Sequence, residues 1–156
     1  MKILYYAGID LSLPLGHAAH VRRLCEGLER RGHLVRLVAR PVSGPNAWPG
    51  PRGGLRAAGG PGLPKLRHLG AEARAARLLR REVTEFAPDL LLARAEAFTL
   101  APRRLRGRLP LVIECNSDVV AIHRSTGRRG PVTTALAWGQ GALLRGADAA
   151  GCVTAR

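Results

Sequence analysis

The hydrophobic pattern changes period several times along the chain, and each change marks an element. Ile3 to Ala7, within KILYYAG, is an unbroken run rich in β-formers and closed by Gly8, which predicts a buried strand. After a loop over 9–15 the period lengthens: Ala19, Val21, Leu24, Cys25 and Leu28 recur at helical spacing, with Arg22, Arg23, Glu26, Glu29 and Arg30 on the other face. An amphipathic helix from Gly16 to a stop at Arg31-Gly32 follows. LVRLVA, residues 34–39, supplies a second strand almost at once. Strand, helix and strand this close together form a right-handed βαβ crossover, so the sheet is parallel.

Residues 41–64 are dense in glycine and proline, which predicts a flexible surface loop without helix or strand. It is too long for a passive connector, so a functional lid and a disordered segment both stay open. Leu66, Leu69, Ala73, Ala76, Leu79, Val83 and Phe86 then predict an amphipathic helix over 65–86, ended by Pro88. Its outer row, Arg67, Arg74, Arg77 and Arg81, suits either a solvated charged face or contact with anionic lipid. DLLLA (89–93) reads as a third strand, a short helical segment falls near 98–106, and LPLVIEC (109–115) is a fourth strand. A helix over 131–144 and a fifth strand in ADAAGCVT (147–154) complete the pattern, with no internal repeat.

Composition narrows the class. With 156 residues, 46% hydrophobic and 23% charged, the chain suits one folded domain rather than a disordered tail or a membrane bundle. Its longest uncharged stretch near the C-terminus, 130–144, is shorter than the roughly 18–20 apolar residues of a membrane span. The apolar N-terminal run is cut by Asp10, too early for a signal-peptide core, so a cytoplasmic location is expected, with the inner face of the plasma membrane as the place a basic face would be held. The net charge of +14 rests almost wholly on arginine, since Lys2 and Lys65 are the only lysines. GC-rich coding produces the same bias, but in either case a positive surface favours anionic partners. No nucleic-acid module is recognisable, and few aromatic residues are available to stack bases. Cys25, Cys115 and Cys152 are odd in number and widely spaced, which reads as reduced buried thiols and not as a disulfide framework or a metal site.

In a parallel α/β sheet, ligands sit at the carboxyl ends of the strands, here 8–20, the segment from Arg40, Arg94 to Glu96, and Glu114 to Asp118. The first turn lacks G-x-G-x-x-G, its glycines Gly8 and Gly16 being eight apart, which disfavours a nicotinamide enzyme. There is no P-loop and no G-x-S-x-G elbow. What remains is a helix N-terminus at Gly16-His17 able to receive an anion, with His17 and His20 on its first turn; each histidine also reads as a capping, surface or packing residue. Glu114, Asn116 and Asp118 alternate along a strand end and can share one side of a cleft, where a carboxylate orients a hydroxyl or acts as a base. A loop satisfying its own backbone would use the same residues.

Taken in order, MKILYYAG, GHAAHVRRLCEGLERRGHLVRLVAR, FAPDLLLAR, LPLVIECN and LLRGADAAGCVT resemble the N-terminal domain of GT-B glycosyltransferases of family 4. The resemblance includes the Gly32-His33-x-Val35 entry to the second strand, Pro88-Asp89 before a later strand and Ala147-Asp148 before the last. It implies a Rossmann-like three-layer sandwich with a mostly parallel sheet, the N-terminal half of a GT-B architecture, as a single domain over 1–156 with 41–64 as a flexible loop. It further implies retaining transfer of a sugar from a nucleotide-sugar donor to a glycan or lipid-linked acceptor, with no metal or other cofactor, the N-terminal domain holding mainly the acceptor. Gly16 and His17 match the region near the donor phosphates, and Asp10, His20, Arg94, Glu96 and Glu114 are candidates for the acceptor. Many members place a functional histidine at the turn where this chain has Asn116, leaving Asn116, Asp118 and His123 as catalytic candidates. The family's donor-binding C-terminal domain has no counterpart in these residues, so the expectation is an acceptor-side half, inactive by itself, with a separate C-terminal domain as partner. A basic, non-catalytic module on anionic membrane or a protein partner is the alternative.

Overall fold

The computed structural model describes residues 1–11, 16–39, 48, 50–57, 67–96, 99–116, 121, 125, 127 and 130–152. Six strands form one sheet: β1 (Lys2–Ala7), β2 (Leu34–Ala39), β3 (Leu55–Ala57), β4 (Leu90–Arg94), β5 (Leu111–Cys115) and β6 (Ala149–Cys152). They are joined by α1 (Gly16–Arg30), α2 (Arg67–Phe86), a 3₁₀ turn (Ala101–Leu105) and α3 (Pro131–Leu144). The order across the sheet is β3-β2-β1-β4-β5-β6, and every neighbouring pair is parallel. The direction of winding reverses between β1 and β4, so the crevice of this doubly wound sheet opens above their carboxyl ends.

Alternation along β1 divides the core in two. Ile3, Tyr5 and Ala7 face α1, packing with Ala18, Val21 and Cys25 and with Val35, Leu37 and Ala39 of β2. Leu4 and Tyr6 face the other layer, where Ala75, Ala76 and Leu79 of α2, Leu105 of the 3₁₀ turn and Leu143 of α3 cover Leu91, Leu111 and Ile113. Both faces of the sheet are thus covered, which is why its strands are continuously apolar. Leu79, fully buried at the centre of the α2 stripe, contributes about 1.5–3 kcal/mol by leaving water.

The helix ends are chemically specified. Gly32 takes a left-handed φ of 82°, and the two reverse bonds Gly32 N–H to Glu29 O (3.0 Å) and His33 N–H to Leu28 O (3.1 Å) close α1 and turn the chain into β2. At the end of α2 the same conformation falls on Ala87, φ 46°, directly before Pro88. Lys2 Nζ donates to Phe86 O at 3.2 Å, and the Lys2 N–H to Asp89 Oδ2 at 2.7 Å, tying that end to the start of β1.

The expectation of a loop without secondary structure over 41–64 is corrected by β3, which makes the sheet six-stranded instead of five-stranded. The glycines here permit close approach. A Cβ on Gly53 would lie 2.2 Å from Val35 O, so only glycine lets this backbone reach β2, where the Gly53 N–H donates to Val35 O at 2.8 Å. A polar clamp then fixes the edge: Glu82, 1% exposed on α2, accepts from Arg36 Nη1 of β2 at 2.8 Å and from Arg56 Nε of β3 at 3.0 Å. Arg36 also lies over the Phe86 ring at 4.3 Å. On the outer row expected on α2, Arg81 is exposed and pairs with Glu85 one turn on.

Among the thiols, Cys25 is buried; burial first, then the charges of Glu29 and Glu26, push it up to about 12. Cys115 is only half-buried, against the expectation of full burial, because it stands at the last position of β5. The side chain of Cys152 lies outside the described residues.

Candidate functional site

A buried carboxylate organises the crevice. Arg94, the last residue of β4, is the register partner of Glu114, the last but one of β5, and alternation points both toward the α1 layer. Glu114, 8% exposed, accepts from four side chains on four segments: Tyr5 Oη of β1 at 2.6 Å, Asn116 Nδ2 at 2.5 Å, Arg94 Nη1 at 3.4 Å, and His20 Nε2 of α1. Arg94, itself 7% exposed, donates its Nε to Glu96 Oε1 at 2.5 Å. Thr99 fixes the segment carrying Glu96, its Oγ1 accepting the Glu96 N–H at 2.8 Å.

The electrostatics follow from these contacts. Burial pushes the Glu114 carboxyl up, but hydrogen bonds from Tyr5 and Asn116 and the charges of His20 and Arg94 outweigh it and hold the group below its ordinary value. Burial and the adjacent Glu114 charge push the Tyr5 phenol far above its usual range, so it remains an O–H donor. Because Glu114 is ionised and can only accept, His20 Nε2 carries the proton of their bond. In the neutral imidazole Nδ1 is then the nitrogen left to accept a hydrogen bond from a hydroxyl, on a side chain that is 39% exposed. This is the arrangement of an imidazole oriented by a carboxylate.

Of the expected site residues, His20, Arg94, Glu96, Glu114 and Asn116 come together in this one network. Gly16 and His17 open α1, and Asp10 is half-buried in the segment after β1. Asp118 and His123 lie outside the described residues. Tyr5 and Thr99 were not anticipated; the signal for Tyr5 was a phenol in a buried strand, which needs a partner for its hydroxyl. On the opposite face Glu72 has a structural role. It accepts from Tyr6 Oη and from the Leu100 and Ala101 N–H groups, both at 2.7 Å, and so caps the 3₁₀ turn. Among the described residues no three His, Cys, Asp or Glu side chains gather to hold a metal ion, and no helix is long and apolar enough to cross a membrane.

A doubly wound parallel sheet, with a polar cluster at its topological switch point and no glycine-rich dinucleotide fingerprint, defines a Rossmann-like domain of the kind found in the N-terminal half of GT-B glycosyltransferases. Residues 15–156 match the model of Glycosyltransferase Family 4, and the chain belongs to that family. Among solved structures it is similar to sucrose-phosphate synthase from Thermosynechococcus elongatus, with a TM-score of 0.72 at 15% identity, over 96% of this chain and 41% of that one. It is also similar to MurG from Acinetobacter baumannii, with a TM-score of 0.52 at 16% identity, over 99% of this chain and 41% of that one. These likenesses establish the fold, and the chain spans about two fifths of the length of either protein. Among curated protein sequences none matches it significantly.

Proposed function

We propose that residues 1–156 are the acceptor-side domain of a retaining, metal-independent glycosyltransferase that moves a sugar from a nucleotide-sugar donor to a glycan or lipid-linked acceptor. A second, donor-binding domain works opposite the crevice. The observation that carries this reading is the Glu114 hub: one ionised carboxylate holds His20, Arg94, Asn116 and Tyr5 together where the sheet presents ligands. In this reading His20 Nδ1 and the Glu96 carboxylate receive acceptor hydroxyls, and Asn116 stands where other members place a histidine. Asp10 is assigned to the acceptor, and Asp118 and His123, which lie outside the described residues, are assigned to catalysis on sequence alone.

The donor phosphates would approach the first turn of α1 at Gly16 and His17, where helix N–H groups favour an anion. In support, no described atom lies within 4 Å of where a Gly16 Cβ would be, so the packing of the described residues does not fill that space. Half an active site binds but does not turn over. Incubated alone with labelled nucleotide sugars and a panel of glycan and polyprenyl-linked acceptors, the chain is expected to form no product. Turnover by the chain unaided would refute the acceptor-half assignment.

A further inference from the structure

Among the described residues, many of the exposed arginines lie on the layer opposite α1, away from the Glu114 cluster. Three adjoining hollows run across it. The first, about 330 Å³, lies between α2 and the 3₁₀ turn and is lined by Arg77, Arg80 and Arg104. The second, about 350 Å³, shares Arg104 and adds Arg103, Arg106 and the indole of Trp138 on α3. The third, about 420 Å³, shares Arg106 and adds Arg108 and Arg145 beneath the start of β5. All seven guanidinium-bearing residues are exposed, and among the described residues none of them forms an ion pair.

Among the described residues two carboxylates border the hollows, and both are already engaged by backbone. Glu72 caps the 3₁₀ turn, and Asp148 Oδ2 accepts the Leu111 N–H at 2.7 Å. Unpaired positive charge on this scale is unfavourable for a lone domain and is relieved by a polyanion. At the centre stands Trp138, 63% exposed, with the Arg103 guanidinium 5.5 Å from its ring centroid. A large amphipathic ring held in water among arginines is the residue pairing that favours the headgroup level of a bilayer. A single-stranded nucleic acid instead needs successive aromatic platforms, and among the described residues Trp138 is the single aromatic one lining the three hollows.

We infer that the face formed by α2, the 3₁₀ turn and α3 docks on an anionic phospholipid surface, with Trp138 inserted at headgroup level and Arg77, Arg80, Arg103, Arg104, Arg106, Arg108 and Arg145 taking lipid phosphates. The inference uses no residue of the Glu114 cluster. Loss of vesicle binding and loss of acceptor binding are therefore separable results.

The test is co-sedimentation of the full chain with vesicles of phosphatidylcholine alone and with phosphatidylglycerol added, over a range of salt. Emission from Trp138 is followed in a Trp48→Phe background, since Trp48 is the other tryptophan. The expected result is binding only to the anionic vesicles, weakened by salt, with a blue shift of Trp138 emission. The double variant Arg104→Gln/Arg106→Gln lowers the partition coefficient roughly 25-fold, about fivefold per charge removed. Both residues are exposed, and unchanged circular dichroism verifies that the variant folds. Equal binding to neutral vesicles, retention by the double variant, or the absence of any binding would overturn the inference. So would binding to a polynucleotide or an acidic protein that outcompetes the vesicles without shifting Trp138 emission.

Discussion

Glu114→Gln is the substitution that interrogates the crevice most sharply, because it keeps the shape of the hub and removes its charge. Four donors converge on this side chain, and the carboxylate satisfies all of them by accepting. An amide has one accepting oxygen, and its NH2 must face a donor, Asn116 Nδ2 or Arg94 Nη1. Charge-assisted hydrogen bonds are about twice as strong as neutral ones, and each is worth about 1.5–3 kcal/mol. Arg94 keeps its bond to Glu96, so the loss is partial. About 2–3 kcal/mol is expected for Glu114→Gln, against about 3–5 kcal/mol for Glu114→Ala, which leaves the Tyr5 hydroxyl unpartnered as well. In urea unfolding followed by circular dichroism, at an m-value of about 2 kcal/mol/M, the midpoint falls by about 1–1.5 M.

The pH dependence supplies the control. The Glu114 pKa is lower in the folded protein than in the unfolded chain, so its contribution is complete above the unfolded value and is lost as pH falls through the folded one. The gap between wild type and Glu114→Gln should therefore narrow below the ordinary carboxylate range. A midpoint shift under about 0.3 M, or a shift that stays constant down to pH 3, would refute the reasoning.

Three further outcomes follow from local geometry. Gly53→Ala drives a Cβ against the Val35 carbonyl and should cost about 1–3 kcal/mol, whereas Gly16→Ala, with open space around it, stays within about 0.5 kcal/mol; parallel urea titrations compare them. Ala87→Gly relieves a left-handed alanine and should raise stability by up to about 1 kcal/mol, read as a higher unfolding midpoint. With its thiol pushed up to about 12, Cys25 is roughly one part in ten thousand thiolate at pH 8, so peptide mapping after native alkylation should find it unmodified until urea opens the core.

Much of this fold was legible because period alone separates its elements. The Ile3–Ala7 run is buried on both faces of the sheet, the Val21–Cys25–Leu28 and Leu79–Val83–Phe86 stripes turn one helix face inward, and the element bounds follow the pattern to within a few residues. β3 was not legible, because Gly53 and Gly54 look like loop residues until the carbonyl of Val35 is known to lie against them. The same blindness to tertiary contact applies to charge. Glu82, on the helix face that carries Val83 and Phe86, draws Arg36 and Arg56 inward, and Arg81 is neutralised locally by Glu85. In the crevice, alternation was enough to align Glu114 with Asn116. The partners Tyr5, His20 and Arg94, by contrast, arrive from positions 20 to 109 residues away and depend on the register of β1, β4 and β5.

The central claim is that the Glu114 hub prepares this domain to hold an acceptor. The direct measurement is equilibrium binding of a panel of free sugars, glycans, polyprenyl-linked saccharides and nucleotide sugars to the wild-type chain, His20→Ala and Glu114→Gln. One acceptor class should bind the wild type and weaken at least about 10-fold in both variants, the loss of roughly one good hydrogen bond, at a temperature where all three are folded. Finding no acceptor bound, or one bound equally by all three proteins, would contradict it.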